Sequence, residues 1–301
     1  MSRFERDHEF VKKVQKTMSE DTTTEAQKYF TRWMKLTAGE IANAFYVFFD
    51  PAGNGLLQTQ RAVTYYLTKA DFDSIMNQYK ALTKPERANA KLRFYLGCDP
   101  KYISGVVQED SPPFNPFAKL LTDAGLAPFA NCKKMVWSSN SMRRLSDRLY
   151  PNPPNSDGMI SGNNLYLNAT SVSGQVNESV ISPNTANLFI YEWCKTPDAQ
   201  IPDLFSGEVI EEVARVKSYN FSAADLADVY EMWKSANNSG EDLLLALHLG
   251  VILPKLNTPF AFHMIMQILP IKSYGPPIIV DQDSTTGAVF EYAYPCPPYC
   301  Q

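Results

Sequence analysis

Cys296 and Cys300, four residues apart in Cys296-Pro297-Pro298-Tyr299-Cys300, are the closest pair of cysteines in the chain. Two thiolates at this spacing can share one metal ion, but tetrahedral zinc takes two further ligands. Only three histidines, His8, His248 and His263, are available to supply them. His248 and His263 fall in apolar segments and fit satisfied core histidines better than ligands. Cys296 and Cys300 are therefore the metal candidates, and no metal or cofactor is expected. Lys133, Lys134, Arg143, Arg144 and Arg148, with Trp137 among them, form the one basic cluster and the candidate site for an anionic ligand. Asp225, Asp228 and Glu231 recur every three residues and read as a solvated helix face rather than a carboxylate site.

Ile278 to Thr285, an apolar run ending in Asp281-Gln282-Asp283-Ser284-Thr285, resembles the first motif of the haloacid dehalogenase-like phosphotransferases. The resemblance implies Asp281 as nucleophile and Asp283 as acid and base beside magnesium. A metal-dependent hydrolase or phosphotransferase on Asp281 and Asp283 is thus the alternative function. In that family, however, the motif opens a doubly wound sheet that later supplies a lysine and further aspartates, whereas here it stands twenty residues before the last residue of the sequence. A solvated turn is the preferred reading. Asp50 to Leu57 resembles half of an EF-hand calcium loop, yet the third and twelfth positions, which need oxygen ligands, hold Ala52 and Arg61. Asn155 to Ile160 has the same look with Pro153 and Asn164 at its first and twelfth positions, so both stretches read as glycine turns. The nucleophile elbow G-x-S-x-G, the S-x-x-K pair, the phosphate loop G-x-x-x-x-G-K and the zinc motif H-E-x-x-H do not occur.

The elements that must carry these groups belong to a chain of 301 residues with 45% hydrophobic and 12% aromatic residues, enough to bury a full core. Lys+Arg of 28 against Asp+Glu of 32 leaves a formal charge of −4, which disfavours a polyanion, so nucleic acid is not the expected partner. The first ten residues carry six charged or titratable side chains where a secretory signal would be apolar. The longest apolar run, Leu243 to Leu253, is eleven residues, short of a membrane span. With five cysteines, three of them in or beside apolar segments, the expectation is a cytoplasmic protein with reduced thiols and no membrane contact.

Capping boxes at Thr22/Glu25 and Thr37/Glu40 predict helices over about 23–36 and 38–49. Asp71, three after Thr68, opens a helix to about Ala81, and further helices are expected over about 205–217, 222–236, 240–253 and 258–269. Leu92 to Leu96 and Asn187 to Trp193 read as strands. Between Leu149 and Ile190 only Asp157 and Glu178 are charged, while Asn, Ser, Pro and Gly are frequent, so this stretch is loop or edge-strand chemistry. The expected fold class is α+β, predominantly helical with a small mixed or antiparallel sheet, as a single domain over 1–301 with a subdomain boundary near 151–164. The charged N-terminal helix, with Phe4, Val11, Val14 and Met18 as a narrow apolar stripe at helical spacing, and the Pro/Asn-rich segments can meet another copy of the chain or another protein. The expected function is therefore a non-catalytic structural or protein-interaction protein, a homo-oligomer or the partner of another protein.

Overall fold

The computed structural model describes residues 24–49, 58–104, 111–122, 129–137, 183–209, 212–251, 262–270, 289–290 and 294–296. Helices α1 (Glu25–Lys35) and α2 (Ala38–Ala44) open this part of the chain. The α1 cap is Thr24, whose hydroxyl accepts from the Gln27 amide at 3.3 Å. At α2 the expected box is closed, with the Thr37 amide donating to Glu40 Oε2 at 2.7 Å. The second helix stops at Ala44, and β1 (Tyr46–Phe49) runs where the helix was expected to continue. Next come β2 (Gln58–Arg61), β3 (Thr64–Tyr66), α3 (Lys69–Ala81), α4 (Lys84–Asn89) and β4 (Lys91–Tyr95). Thr68 caps α3 through the Asp71 amide, as the spacing predicts.

Further along are β5 (Phe117–Leu121), β6 (Lys133–Lys134), β7 (Val136–Trp137), α5 (Pro183–Lys195) and α6 (Ile201–Phe205). The remainder comprises β8 (Ser206–Val209), β9 (Glu212–Arg215), β10 (Ser218–Phe221), α7 (Ala223–Ser239), β11 (Leu243–Val251), β12 (Phe262–Pro270), β13 (Val289–Phe290) and β14 (Tyr294–Cys296). Ser222 and Asp225 box the start of α7, and Gly240 ends it at φ 75°, a left-handed turn that favours glycine.

The class is α+β, and the sheet content is two five-stranded antiparallel sheets rather than one small one. The first sheet has the order β14-β10-β4-β5-β6 and the second β13-β12-β11-β3-β7, with two-stranded ribbons β1-β2 and β8-β9 beside them. Between β6 and β7 stands Met135 alone, so the chain passes from one sheet to the other there, and it does so again between β13 and β14.

Four further segments differ from the sequence expectation. Leu243 to Val251 and Phe262 to Pro270 are paired strands, not helices, joined in register from Leu243↔Pro270 to Val251↔Phe262. Leu243, Leu245, Leu247, Leu249 and Val251 face the core, while Ala246 and His248 are buried on the opposite face. A run buried on both faces loses the alternation that marks a strand. Ser206–Val209 and Glu212–Arg215 pair antiparallel as β8 and β9, and this cross-strand pairing outweighs the helical spacing. Asn187 to Trp193, read as a strand, lies inside helix α5, because Ala186, Phe189, Ile190 and Trp193 form one buried helical stripe.

The inner faces of the sheets share one cluster centred on Trp33, Phe45, Phe114, Trp193, Phe205 and Phe262. The polar tips of four buried aromatics are held by backbone carbonyls. Trp33 Nε1 donates to Val216 at 2.9 Å, Trp193 Nε1 to Ala62 at 2.8 Å, the Tyr65 hydroxyl to Phe114 at 2.8 Å and the Tyr219 hydroxyl to Phe262 at 2.9 Å. The two tyrosine bonds run in opposite directions, one from each sheet toward the other layer, and so fix the sheets' separation and slide. Arg61 anchors α5 from β2, donating to the Trp193 and Thr196 carbonyls at its C-terminal end.

Candidate functional site

Thr64, His248 and Gln267 stand on three neighbouring strands, β3, β11 and β12, of the second sheet. His248 pairs in register with Thr64 on one side and lies two pairs from Gln267 on the other. Thr64 Oγ1 is 2.9 Å from His248 Nδ1, and His248 Nε2 is 2.9 Å from Gln267 Oε1. The amide oxygen at Nε2 places the ring proton there, which leaves Nδ1 to accept the Thr64 hydroxyl. This is the connectivity of a hydroxyl, a base and the group that orients the base.

Burial decides what it can do. Thr64, His248 and Gln267 are 0%, 1% and 4% exposed, so a substrate has no approach to the hydroxyl. Loss of solvent pushes the imidazole down to about 4, against the opposing hydrogen bond to Gln267, and the ring stays neutral near pH 7. Helix α5 closes the same face: a Cβ on Gly250 would lie 3.2 Å from that of Phe189. The trio satisfies three buried polar groups at the centre of a sheet. His248 is thus a satisfied core histidine, on a strand rather than a helix.

The first sheet turns a different row outward. Asn220, Arg93 and Lys119 are consecutive register partners across β10, β4 and β5. Arg93 Nε donates to Asn220 Oδ1 at 2.6 Å, and its guanidinium lies 5.6 Å from the centre of the Tyr95 ring. Lys119 is buried, which lowers its pKa, and the Arg93 charge adds to the lowering while Cys132 opposes it. Burial also raises Cys132 to about 11 and Cys98 to about 12, so neither thiol has the character of a nucleophile. Beside this row α1 packs Tyr29 and Phe30 onto Tyr95, Phe117 and Phe129.

No family model, curated protein or solved structure matches this chain. The geometry alone therefore carries the functional reading.

Of the sequence candidates, Lys133 and Lys134 lie in β6, and each is matched with a carboxylate. Lys133 Nζ is 3.2 Å from Asp71 Oδ1. Lys134 Nζ is 2.9 Å from Glu25 Oε1 and donates to the Tyr29 hydroxyl at 2.9 Å. Burial works against the Lys134 charge, yet these two partners outweigh it and raise its pKa. Arg143, Arg144 and Arg148 lie outside the described residues, as do Asp281, Asp283, Cys300, His8 and both glycine turns. Cys296 is on β14, opposite Ser218 of β10. Among the described residues, no group of three or more His, Cys, Asp and Glu is placed to hold a metal, and no helix is long and apolar enough to cross a membrane.

The acidic row on α7 is a correction: Asp225 and Asp228 are 0% and 2% exposed, not solvated. The Ser222 amide and hydroxyl both donate to Asp225 Oδ2 at 2.7 Å, so this carboxylate is spent on the helix cap. Sequence reasoning missed the Thr64–His248–Gln267 chain. A lone polar residue inside Leu243–Leu253 was the available signal, since a buried imidazole demands partners. Their identity was not available, because they come from residues 184 and 19 positions away.

Proposed function

We propose that this chain is a non-catalytic structural or protein-interaction protein that associates with copies of itself in the cytoplasm, using its charged N-terminal segment and its Pro/Asn-rich segments. One observation carries the reading. The only hydroxyl–imidazole–amide sequence described is sealed within a sheet and holds a neutral ring, so the most reaction-like geometry in the framework serves packing. The free, buried thiol of Cys98 supports a reducing compartment. A sheet framework closed by its own segments is the kind of rigid body that assembly proteins carry, with contact made by segments outside it.

The test is solution mass by light scattering on a sizing column, with and without residues 1–20. A discrete oligomer that collapses on truncation is expected. A monomer in both preparations overturns self-association.

A further inference from the structure

The two sheets are joined at two margins, and the joints differ. At one, β6 and β7 flank Met135, which is buried and donates its amide to the Pro116 carbonyl at 3.0 Å. That joint has no slack. At the other, β13 pairs with only Met266 and Gln267 of the nine-residue β12, and β14 pairs with Ser218, Tyr219 and Asn220 of β10. The tether from β12 to β13 is residues 271–288, 18 residues, which reach about 60 Å when extended.

Strands this short contribute little by themselves. What they cover, the backbone edges of β10 and β12, is a template for any matching strand. Every copy of the chain carries both the edges and the segment that fits them. Passing the segment to a neighbour keeps every backbone pairing and gives up only the tether's effective concentration.

We propose that β13 and β14 are exchanged between copies, those of one chain completing the β12 and β10 edges of a second. The proposal rests on the self-association reading above and adds a second contact to the one made by the N-terminal segment, both being needed to hold copies together. Exchange at two edges at once makes the contact specific, because both strands must find their partners within one three-residue span, 291–293.

Register supplies the test. Cys296 stands opposite Ser218, so Ser218→Cys in a full-length Cys300→Ser background places two thiols across the β10-β14 pair, within the reach of a disulfide after small adjustment. After mild oxidation, a non-reducing denaturing gel is expected to show a species of twice the chain mass that reductant abolishes. A disulfide confined to single chains overturns the proposal. Should Ser218→Cys fail to fold, Asn220→Cys with Tyr294→Cys, in a chain with Cys296 and Cys300 both changed to Ser, probes the next register pair but one. Absence of cross-linking at both pairs in folded protein also overturns it, since β14 then seats on no copy's β10. Light scattering of the unmodified chain separates the two readings: an oligomer with intrachain disulfides removes exchange but keeps self-association, and a monomer with intrachain disulfides removes both.

Discussion

The first sheet turns Arg93 and Lys119 outward beside Tyr95 and Phe117, while the second turns Thr64, His248 and Gln267 beneath a helix. Both sheets have five antiparallel strands, and both lend their inner faces to the same aromatic cluster. They differ in what covers the other face. Helix α1 leaves part of the first sheet near solvent, where a long side chain can carry its charge to the margin. Helix α5 lies against the second, with Phe189 Cβ 3.2 Å from where a Cβ on Gly250 would stand, and only neutral groups that bond one another can stay. Polar groups in the first sheet are tolerated by reach; in the second they are tolerated by mutual satisfaction.

The largest expected effect breaks that mutual satisfaction. His248→Leu leaves the Thr64 hydroxyl and the Gln267 amide buried without their ring partner, and should destabilise the protein by about 3 to 5 kcal/mol in urea unfolding. Asn220→Ala in the first sheet, which removes one half-buried bond to Arg93, should cost about 1 to 2 kcal/mol. The triple variant Thr64→Val, His248→Leu, Gln267→Leu should recover much of the loss, since removing all partners together leaves nothing unsatisfied. Equal losses for the His248 and Asn220 variants would end the distinction between the sheets.

The same difference explains what the sequence made legible. Lys91-Leu92-Arg93-Phe94-Tyr95 alternates, because one face packs inward and the other holds charge, and it reads as a strand. Thr37/Glu40 and Thr68/Asp71 announce their helices, because a cap is a local bond between residues three apart. Leu243 to Val251 carries no such mark. Both of its faces are buried, its leucines suit a helix as well as a strand, and its register is set by β12, the next strand, and by β3, far back in the chain. The candidate chemistry followed the same rule. Short motifs such as Asp281-Gln282-Asp283 invite attention because they are contiguous, whereas the hydrogen-bonded trio is assembled from three distant strands and has no sequence signature.

The pH response sharpens the comparison further. His248 titrates at about 4 when folded, below the ordinary 6.5 of an exposed imidazole. Between these values the unfolded chain binds the extra proton, so this group's contribution is fully present above pH 6.5 and is lost as pH falls through 4. The loss should approach about 3 kcal/mol. Carboxylates that cap helices, such as Glu40, whose pKa is lowered first by the Thr37 amide, add an acid loss of their own. The His248 share is therefore read as the difference between the parent and the triple apolar variant, compared by urea unfolding at pH 7 and pH 5. Parallel losses in the two proteins would mean that the imidazole is solvated and that the second sheet is open on that face.

The smallest effect compares two glycines, one by each sheet. A Cβ on Gly97, just after β4, would meet the Asn115 carbonyl oxygen at 2.7 Å and Tyr29 Cβ at 2.9 Å, neither of which can turn aside. On Gly250, in β11, its nearest neighbour would be Ile265 Cδ1 at 2.8 Å, the far end of a flexible side chain, with Phe189 Cβ next at 3.2 Å. Gly97→Ala must shift backbone and should cost about 2 to 3 kcal/mol, while Gly250→Ala can be met by a rotamer change at about 1 kcal/mol. The expected gap is thus about 1 to 2 kcal/mol in the midpoint-derived stability, with unchanged m-values for both. A larger penalty at Gly250 would show that α5 and Ile265 are held rigidly against the second sheet. Close packing by the helix, more than hydrogen bonding within the trio, would then be what keeps His248 dry.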